Sequence, residues 1–263
     1  MTHRFFQGLK APLHISHRGG ALLYPENTMG AFRAALEVHR TDMLELDLHL
    51  TRDGELVVFH DDLVDRVTDG HGDVHRFSLA ELQKLDAGYQ FSPDGVSHPF
   101  RGKGVQVPRF VEVLRAFPGV RINVELKTAD TLDAFVSLVR AEKAELRLCA
   151  GSERDDLAAQ IAERIPEMCL FFPRDALVQF VLPVLSGEQA ADEPRYTVLD
   201  MPLSYEGVPV FTDALVAECK RLGKWINVWT IDDEPTMRQV IAMGVGGVMT
   251  DRPDVLRTVI PLA

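Results

Sequence analysis

Residues 44 to 61 read Leu-Glu-Leu-Asp-Leu-His-Leu-Thr-Arg-Asp-Gly-Glu-Leu-Val-Val-Phe-His-Asp. In the first half, Glu45, Asp47 and His49 alternate with Leu44, Leu46, Leu48 and Leu50. Successive side chains of a strand point to opposite faces, so the spacing predicts one apolar and one acidic face. Two carboxylates side by side repel, which raises the pKa of one of them. A divalent cation taking oxygen ligands would relieve that repulsion. Asp53-Gly54 is a turn signal, so the second half returns toward the first. A tight hairpin would set residue 52 opposite 55 and Asp47 opposite His60. A wider, parallel crossing would leave His60 at the end of its strand. Either way an imidazole lands near the acidic face.

A second alternating run, Val120 to Lys127, puts Asn123, Glu125 and Lys127 on one face and Ile122, Val124 and Leu126 on the other. His17 and Arg18 end the first apolar run, ahead of Gly19-Gly20, and Asn227 and Trp229 lie in a late one. Glu45, Asp47 and Glu125 together suit one hard divalent cation, Mg²⁺ or Ca²⁺. His17 and His60 suit a general acid and a general base. Arg18 and Lys127 suit an anion with several oxygens, such as phosphate. Trp229 suits an aromatic wall against a ligand. The set describes metal-assisted cleavage of a phosphate ester. His49 shares the face of Asp47 and reads as a supporting residue. His3, His14, His39, His71, His75 and His98 form no constellation.

Such residues act together only if the ends of several strands converge. Strands are predicted from Leu13, at 43–50, 55–60, 120–127 and 145–150, then at 168–172, 196–201, 225–230 and 246–250. Helices are predicted over Met29–Val38 and Pro108–Phe117, near 130–143, 153–164, 175–185, 212–222 and 234–243, and from Pro253. Alternating strands and helices imply a parallel sheet, and about eight units imply an α/β protein of the (β/α)₈ TIM barrel type. The strand count is one too many, so the barrel is expected to be irregular near strands 2 and 3. Residues 61–107 are turn-rich and carry one short helix with a Ser78–Glu81 capping box. They read as an insertion after strand 3, either a collar for the substrate or decoration. An open doubly wound sheet is the alternative fold, but no GxGxxG follows the first strand. The whole chain, 1–263, reads as one domain.

A net charge of −11 argues against a nucleic-acid or anionic-membrane surface and leaves a small molecule as the expected partner. Cys149, Cys169 and Cys219 form no CxxC pair and fit small core residues in a reducing compartment. The N-terminal residues lack the apolar run of a signal peptide, and Pro, Gly or charge interrupts every candidate membrane span. A cytoplasmic enzyme is expected.

The motifs His17-Arg18-Gly19, Pro25-Glu26-Asn27-Thr28, Glu45-Leu46-Asp47, Thr51-Arg52-Asp53-Gly54 and His60-Asp61 follow one another in order. Asn123 to Lys127, Val228-Trp229-Thr230 and Gly247 to Pro253 continue the series. With them the sequence resembles the glycerophosphodiester phosphodiesterase family over nearly its whole length. The resemblance implies a barrel with an insertion after the third strand, metal ligands at Glu45, Asp47 and Glu125, and acid/base histidines at His17 and His60. It also implies phosphate contacts from Arg18 and Lys127, and hydrolysis of a glycerophosphodiester to an alcohol and sn-glycerol 3-phosphate. Phe117-Pro118-Gly119-Val120 looks more like members that hydrolyse lysophospholipids, and a lysophospholipase D is the alternative activity. For that alternative, Leu170 to Phe172, Phe180 to Leu185 and Met201 to Leu203 would line an acyl channel; plain core packing is the expectation preferred for them. A non-catalytic barrel that binds phosphate esters is the reading from another class.

Overall fold

In the computed structural model, which describes residues 3–260, strands and helices alternate. The chain begins with β1 (Leu13–Ser16), α1 (Met29–Glu37), β2 (Met43–Leu50), β3 (Leu56–Val58), α2 (Leu79–Leu82) and α3 (Phe110–Ala116). It continues with β4 (Arg121–Leu126), α4 (Thr131–Ala141), β5 (Leu148–Gly151), α5 (Asp155–Arg164), β6 (Cys169–Leu170) and α6 (Arg174–Leu185). Then come β7 (Val198–Met201), a small hairpin of β8 (Ser204–Tyr205) and β9 (Val208–Pro209), and α7 (Asp213–Leu222). The last elements are β10 (Trp225–Val228), α8 (Glu234–Met243), β11 (Gly247–Thr250) and α9 (Pro253–Val259).

Eight strands pair in parallel in the order β6-β5-β4-β2-β1-β11-β10-β7, and a parallel bridge from Phe171 to Val198 joins the two ends. The ring is a (β/α)₈ barrel. The supernumerary strand is β3, which lies outside the ring and pairs antiparallel with the upper half of β2. Its register differs by one residue from the tight hairpin. Leu50 faces Leu56 and the Phe59 amide donates to the Asp47 carbonyl at 3.0 Å, so Asp47 lies opposite Phe59 rather than His60. The cause is a longer turn, in which the Thr51 amide bonds the Glu55 carbonyl and Thr51 Oγ1 bonds Asp53.

The two strand faces are buried in different company. Leu44, Leu46, Leu48, Ile122, Val124 and Leu126 pack outward against the helices in the main core. Leu13, Ile15, Met43, Cys149, Cys169, Phe171, Val198 and Met249 form a separate apolar cluster with Phe5 and Phe6. The strand residues of this cluster alternate with those of the main core, which puts them in the lumen at the N-terminal end of the barrel. Phe6 stacks on Trp225 with ring centroids 4.1 Å apart, and Arg121 Nε donates to the Phe5 carbonyl at 2.7 Å, so residues 5 and 6 stopper that end. Farther along each strand the same face turns polar: Met43 gives way to Glu45 and Asp47, and Trp225 to Asn227.

Thr28 caps α1 through the Ala31 amide, and Ser78 and Glu81 form the expected capping box of α2. Helix α3 starts two residues later than the Pro108 signal. Pro108 is held in an extended segment by the Val58 amide, and Arg109 takes the capping position. The insertion packs a small core of its own, Val57, Phe59, Val64, Val74, Leu82, Ala87 and Val107. Leu170, Phe172, Phe180, Val181, Val184 and Met201 lie in the main core, as packing residues rather than channel walls. All three cysteines are buried and free. Among the described residues no helix is long and apolar enough to cross a membrane.

Candidate active site

The polar side chains converge at the C-terminal ends of the strands. Parallel register places Asp47 beside Glu125 and Glu45 beside Asn123 on β2 and β4. Just past β4, Lys127 Nζ sits 3.1 Å from Asp47 Oδ1 and 2.8 Å from Glu125 Oε2. At the end of β1 the chain makes one 3₁₀ turn, His17–Gly19, in which Arg18 and Gly19 take positive φ angles. A Cβ on Gly19 would stand 2.7 Å from that of Ala31, so only glycine lets α1 close over the turn. The turn directs the Arg18 amide onto Glu45 Oε2 at 2.9 Å and places Arg18 Nε 3.4 Å from Asp47 Oδ2. Asn27, also at positive φ, donates Nδ2 to Asp47 Oδ2 at 2.9 Å.

Both imidazoles are held through Nδ1. That of His17 is 2.8 Å from Asp251 Oδ1, and that of His60 is 2.6 Å from Asp61 Oδ1. With Nδ1–H donating a hydrogen bond to the carboxylate, each Nε2 is the atom left to exchange a proton. His17 Nε2 lies 3.9 Å from Glu45 Oε2. His49 bonds the His60 carbonyl at 3.1 Å and so supports the chain that carries His60. Trp229 stands at the rim, 37% exposed, with its amide bonded to Met201 at the end of β7.

Charge is unevenly balanced here. Burial pushes the Glu45 carboxyl up to about 8, and neighbouring Asp47 adds to the rise. Burial also raises Glu125, with Lys127 resisting and Asp47 adding. Asp47 is just as enclosed, but Lys127 and Arg18 hold its carboxyl below the usual range. Burial lowers His60, aided by Lys127 and Arg18 and opposed by Asp47. Burial opposes the charge of His17 as well, but Glu45 and Asp251 outweigh it and the imidazole is raised. Below this layer Asp200 accepts from Asn123 Nδ2 at 2.6 Å and Asn227 Nδ2 at 2.8 Å, and burial lifts its carboxyl to about 6.

The residues fit an oxygen-liganded cation. The donor set is all carboxylate, and two of its three members are pushed toward protonation. Asn27 Oδ1 is a buried acceptor without a hydrogen-bond partner, and Arg18 Nε is a buried donor without one. As placed, Asp47 and Glu125 pair with Lys127, Glu45 pairs with the Arg18 amide, and no three His, Cys, Asp or Glu side chains among the described residues form a ready-made metal cluster.

All eight residues expected from the sequence, His17, Arg18, Glu45, Asp47, His60, Glu125, Lys127 and Trp229, therefore lie at one end of the barrel. Sequence reasoning missed the partners that hold them: Asp251, Asn27, Glu26 and the pairing of Asp61 with His60. Asp251 carried a usable signal, because it directly follows a strand at the end where a barrel keeps its chemistry.

Comparison with known proteins gives a consistent result. The sequence model of the Glycerophosphoryl diester phosphodiesterase family matches residues 17–255. The Glycerophosphodiester phosphodiesterase of Caldanaerobacter subterraneus subsp. tengcongensis is 32% identical over 254 residues, which cover 93% of this chain and 96% of that one. A lysophospholipase D of Homo sapiens is 27% identical over 271 residues, covering 93% and 84% of the two chains. Among solved structures, an Oleispira antarctica phosphodiesterase in complex with the product sn-glycerol-3-phosphate superposes with a TM-score of 0.75 at 26% identity, covering 94% and 96%.

Proposed function

The chain belongs to the glycerophosphoryl diester phosphodiesterase family, phosphoric diester hydrolases, and on that premise we propose how its own residues carry out the hydrolysis. The substrate is a glycerophosphodiester, cleaved to an alcohol and sn-glycerol 3-phosphate. The observation that carries this reading is the gathering of Arg18, Lys127, His17 and His60 around three carboxylates on two neighbouring strands, His17 beside Glu45 and the others beside Asp47 and Glu125. The product named in the Oleispira antarctica complex supports the choice of ester.

Arg18 and Lys127 grip the phosphate oxygens and offset their charge. His17 and His60 share the proton transfers at Nε2: one takes the proton of the nucleophile and the other delivers a proton to the departing alcohol. The nucleophile is water, or the glycerol 2-hydroxyl by way of a cyclic phosphate. Trp229 forms one wall of the entrance. Glu45, Asp47 and Glu125 would hold one divalent cation, Mg²⁺ or Ca²⁺, which supplies Lewis-acid stabilisation of the phosphate charge when bound.

A panel of glycerophosphodiesters assayed for release of sn-glycerol 3-phosphate tests the proposal. Activity with Mg²⁺ or Ca²⁺, abolished by EDTA and restored by the metal, is expected. Failure to release glycerol phosphate from any substrate with either metal refutes it and leaves a lysophospholipase D or the non-catalytic binder. The human relative favours one further reading, lysophospholipase D activity. Faster hydrolysis of lysophosphatidylcholine than of glycerophosphocholine would establish that instead. The core packing of Phe172, Phe180 and Met201 predicts the opposite preference.

A further inference from the structure

Arg66 lies in the insertion, on a 3₁₀ turn spanning Val64–Arg66, and holds two carboxylates at once. Its Nη1 and Nη2 donate to the two oxygens of Glu26 at 2.7 Å each. Its Nε and Nη2 donate to the two oxygens of Asp61 at 2.6 and 3.1 Å. Each carboxylate in turn holds a residue of the active site. Glu26 Oε1 accepts from Arg18 Nη1 at 3.1 Å, and Asp61 Oδ1 pairs with His60 Nδ1 at 2.6 Å. His60, Asp61, Arg66, Glu26 and Arg18 thus form an unbroken chain. We propose that Arg66 is a positioning residue that fixes His60 and Arg18 relative to each other, so that the proton-moving group and the phosphate-gripping group meet the substrate as one unit.

The chemistry requires arginine. Only a planar guanidinium can present paired N–H groups to two carboxylates in fixed directions, whereas an ammonium is a point charge with freely turning donors. The two carboxylates are well placed to respond. The side chains of Glu26 and Asp61 are 12% and 26% exposed, less than the 47% of Arg66. Against the pull of burial, Arg66 and His60 hold Asp61 down at about 2, and Arg66 and Arg18 likewise depress Glu26. The turn that carries Arg66 is itself anchored. Val64 is fully buried in the insertion core, and its carbonyl accepts from Thr68 Oγ1 at 2.8 Å. The insertion thereby acquires a role: it delivers one guanidinium to the mouth of the barrel. As ordinary half-exposed ion pairs, these contacts contribute little to stability, so their effect belongs in the kinetics.

The proposal rests on the roles given above to His60 and Arg18, and the test separates the two. Steady-state hydrolysis of glycerophosphocholine is measured for the wild type, Arg66→Ala, Arg66→Lys, His60→Ala and the His60→Ala/Arg66→Ala double variant. Misplacing a reacting group slightly costs up to about 10²-fold, so Arg66→Ala is expected to lower kcat by about 10 to 10²-fold, with a smaller rise in KM through Arg18. Lysine should not restore the rate. Added guanidinium should restore it in Arg66→Ala, a recovery that a purely structural role would not give. The double variant should have the kcat of His60→Ala, because the kcat effect of Arg66 passes through His60, and only its KM should carry the added rise through Arg18. The proposal is overturned if Arg66→Ala keeps the wild-type kcat, if Arg66→Lys matches the wild type, if guanidinium restores nothing, or if the two losses multiply. A His60→Ala enzyme as fast as the wild type would instead refute the role of His60, and this proposal with it.

Discussion

Asp200 offers a quantitative test of how the barrel lumen treats charge. Its carboxyl projects from β7 between Asn123 and Asn227, which donate to it, and burial lifts it from the ordinary 3.8 to about 6. A rise of about two units corresponds to about 3 kcal/mol at ~1.4 kcal/mol per unit. The side chain keeps some contact with the open lumen, so about 1–2 kcal/mol is the expected effect after screening. The sign follows from proton binding. The folded state holds this proton more tightly than the unfolded one, so the carboxyl costs nothing below about pH 4 and costs most above about pH 6. Asp200→Asn abolishes the ionisation. Its amide can be accommodated, because Asn123 can turn its own oxygen toward it while Asn227 stays fixed by the Trp225 Nε1 bond at 2.9 Å. Urea unfolding of both proteins from pH 4 to 8 is the assay. The variant should gain stability relative to the wild type as pH rises from about 4 to 6, then hold a constant advantage. A difference independent of pH would show that the carboxyl is not displaced and that the argument from burial is wrong.

Two further outcomes follow from the geometry. His17→Ala and His60→Ala should each reduce kcat by about 10²–10⁴-fold in the glycerol phosphate assay, and near-normal turnover in both would end their assignment as proton carriers. Gly247→Ala should destabilise the barrel by about 1–3 kcal/mol, since the added Cβ would stand 2.4 Å from Asn227 Oδ1 and 2.7 Å from Ile15 Cδ1; an unchanged urea midpoint would contradict this.

The parts of the site that the sequence revealed are those that depend on strand alternation. The inward Glu45, Asp47, Asn123 and Glu125 and the outward Leu44, Leu46, Ile122 and Val124 are set by a period of two, which survives any error in strand ends. The surplus strand was visible as a counting problem, and β3 proved to be its source because it leaves the ring to pair backward on β2. The hairpin register was not visible. It depends on Thr51 bonding Asp53 and Glu55, a choice of turn that alternation cannot see. Which residue holds which was not visible, for another reason. Asp251 and His17 are 234 positions apart, and Arg66 and Glu26 are 40 apart, so only closure of the barrel and folding of the insertion bring them together.

The aromatic stopper of Phe5 and Phe6 turns the barrel into a blind well. Whatever reaches Asp47 therefore enters and leaves at the opposite end, where the C-terminal ends of the strands meet. Under the proposed reaction, substrate and both products would share that single opening, and a fragment slow to leave would block the next turnover.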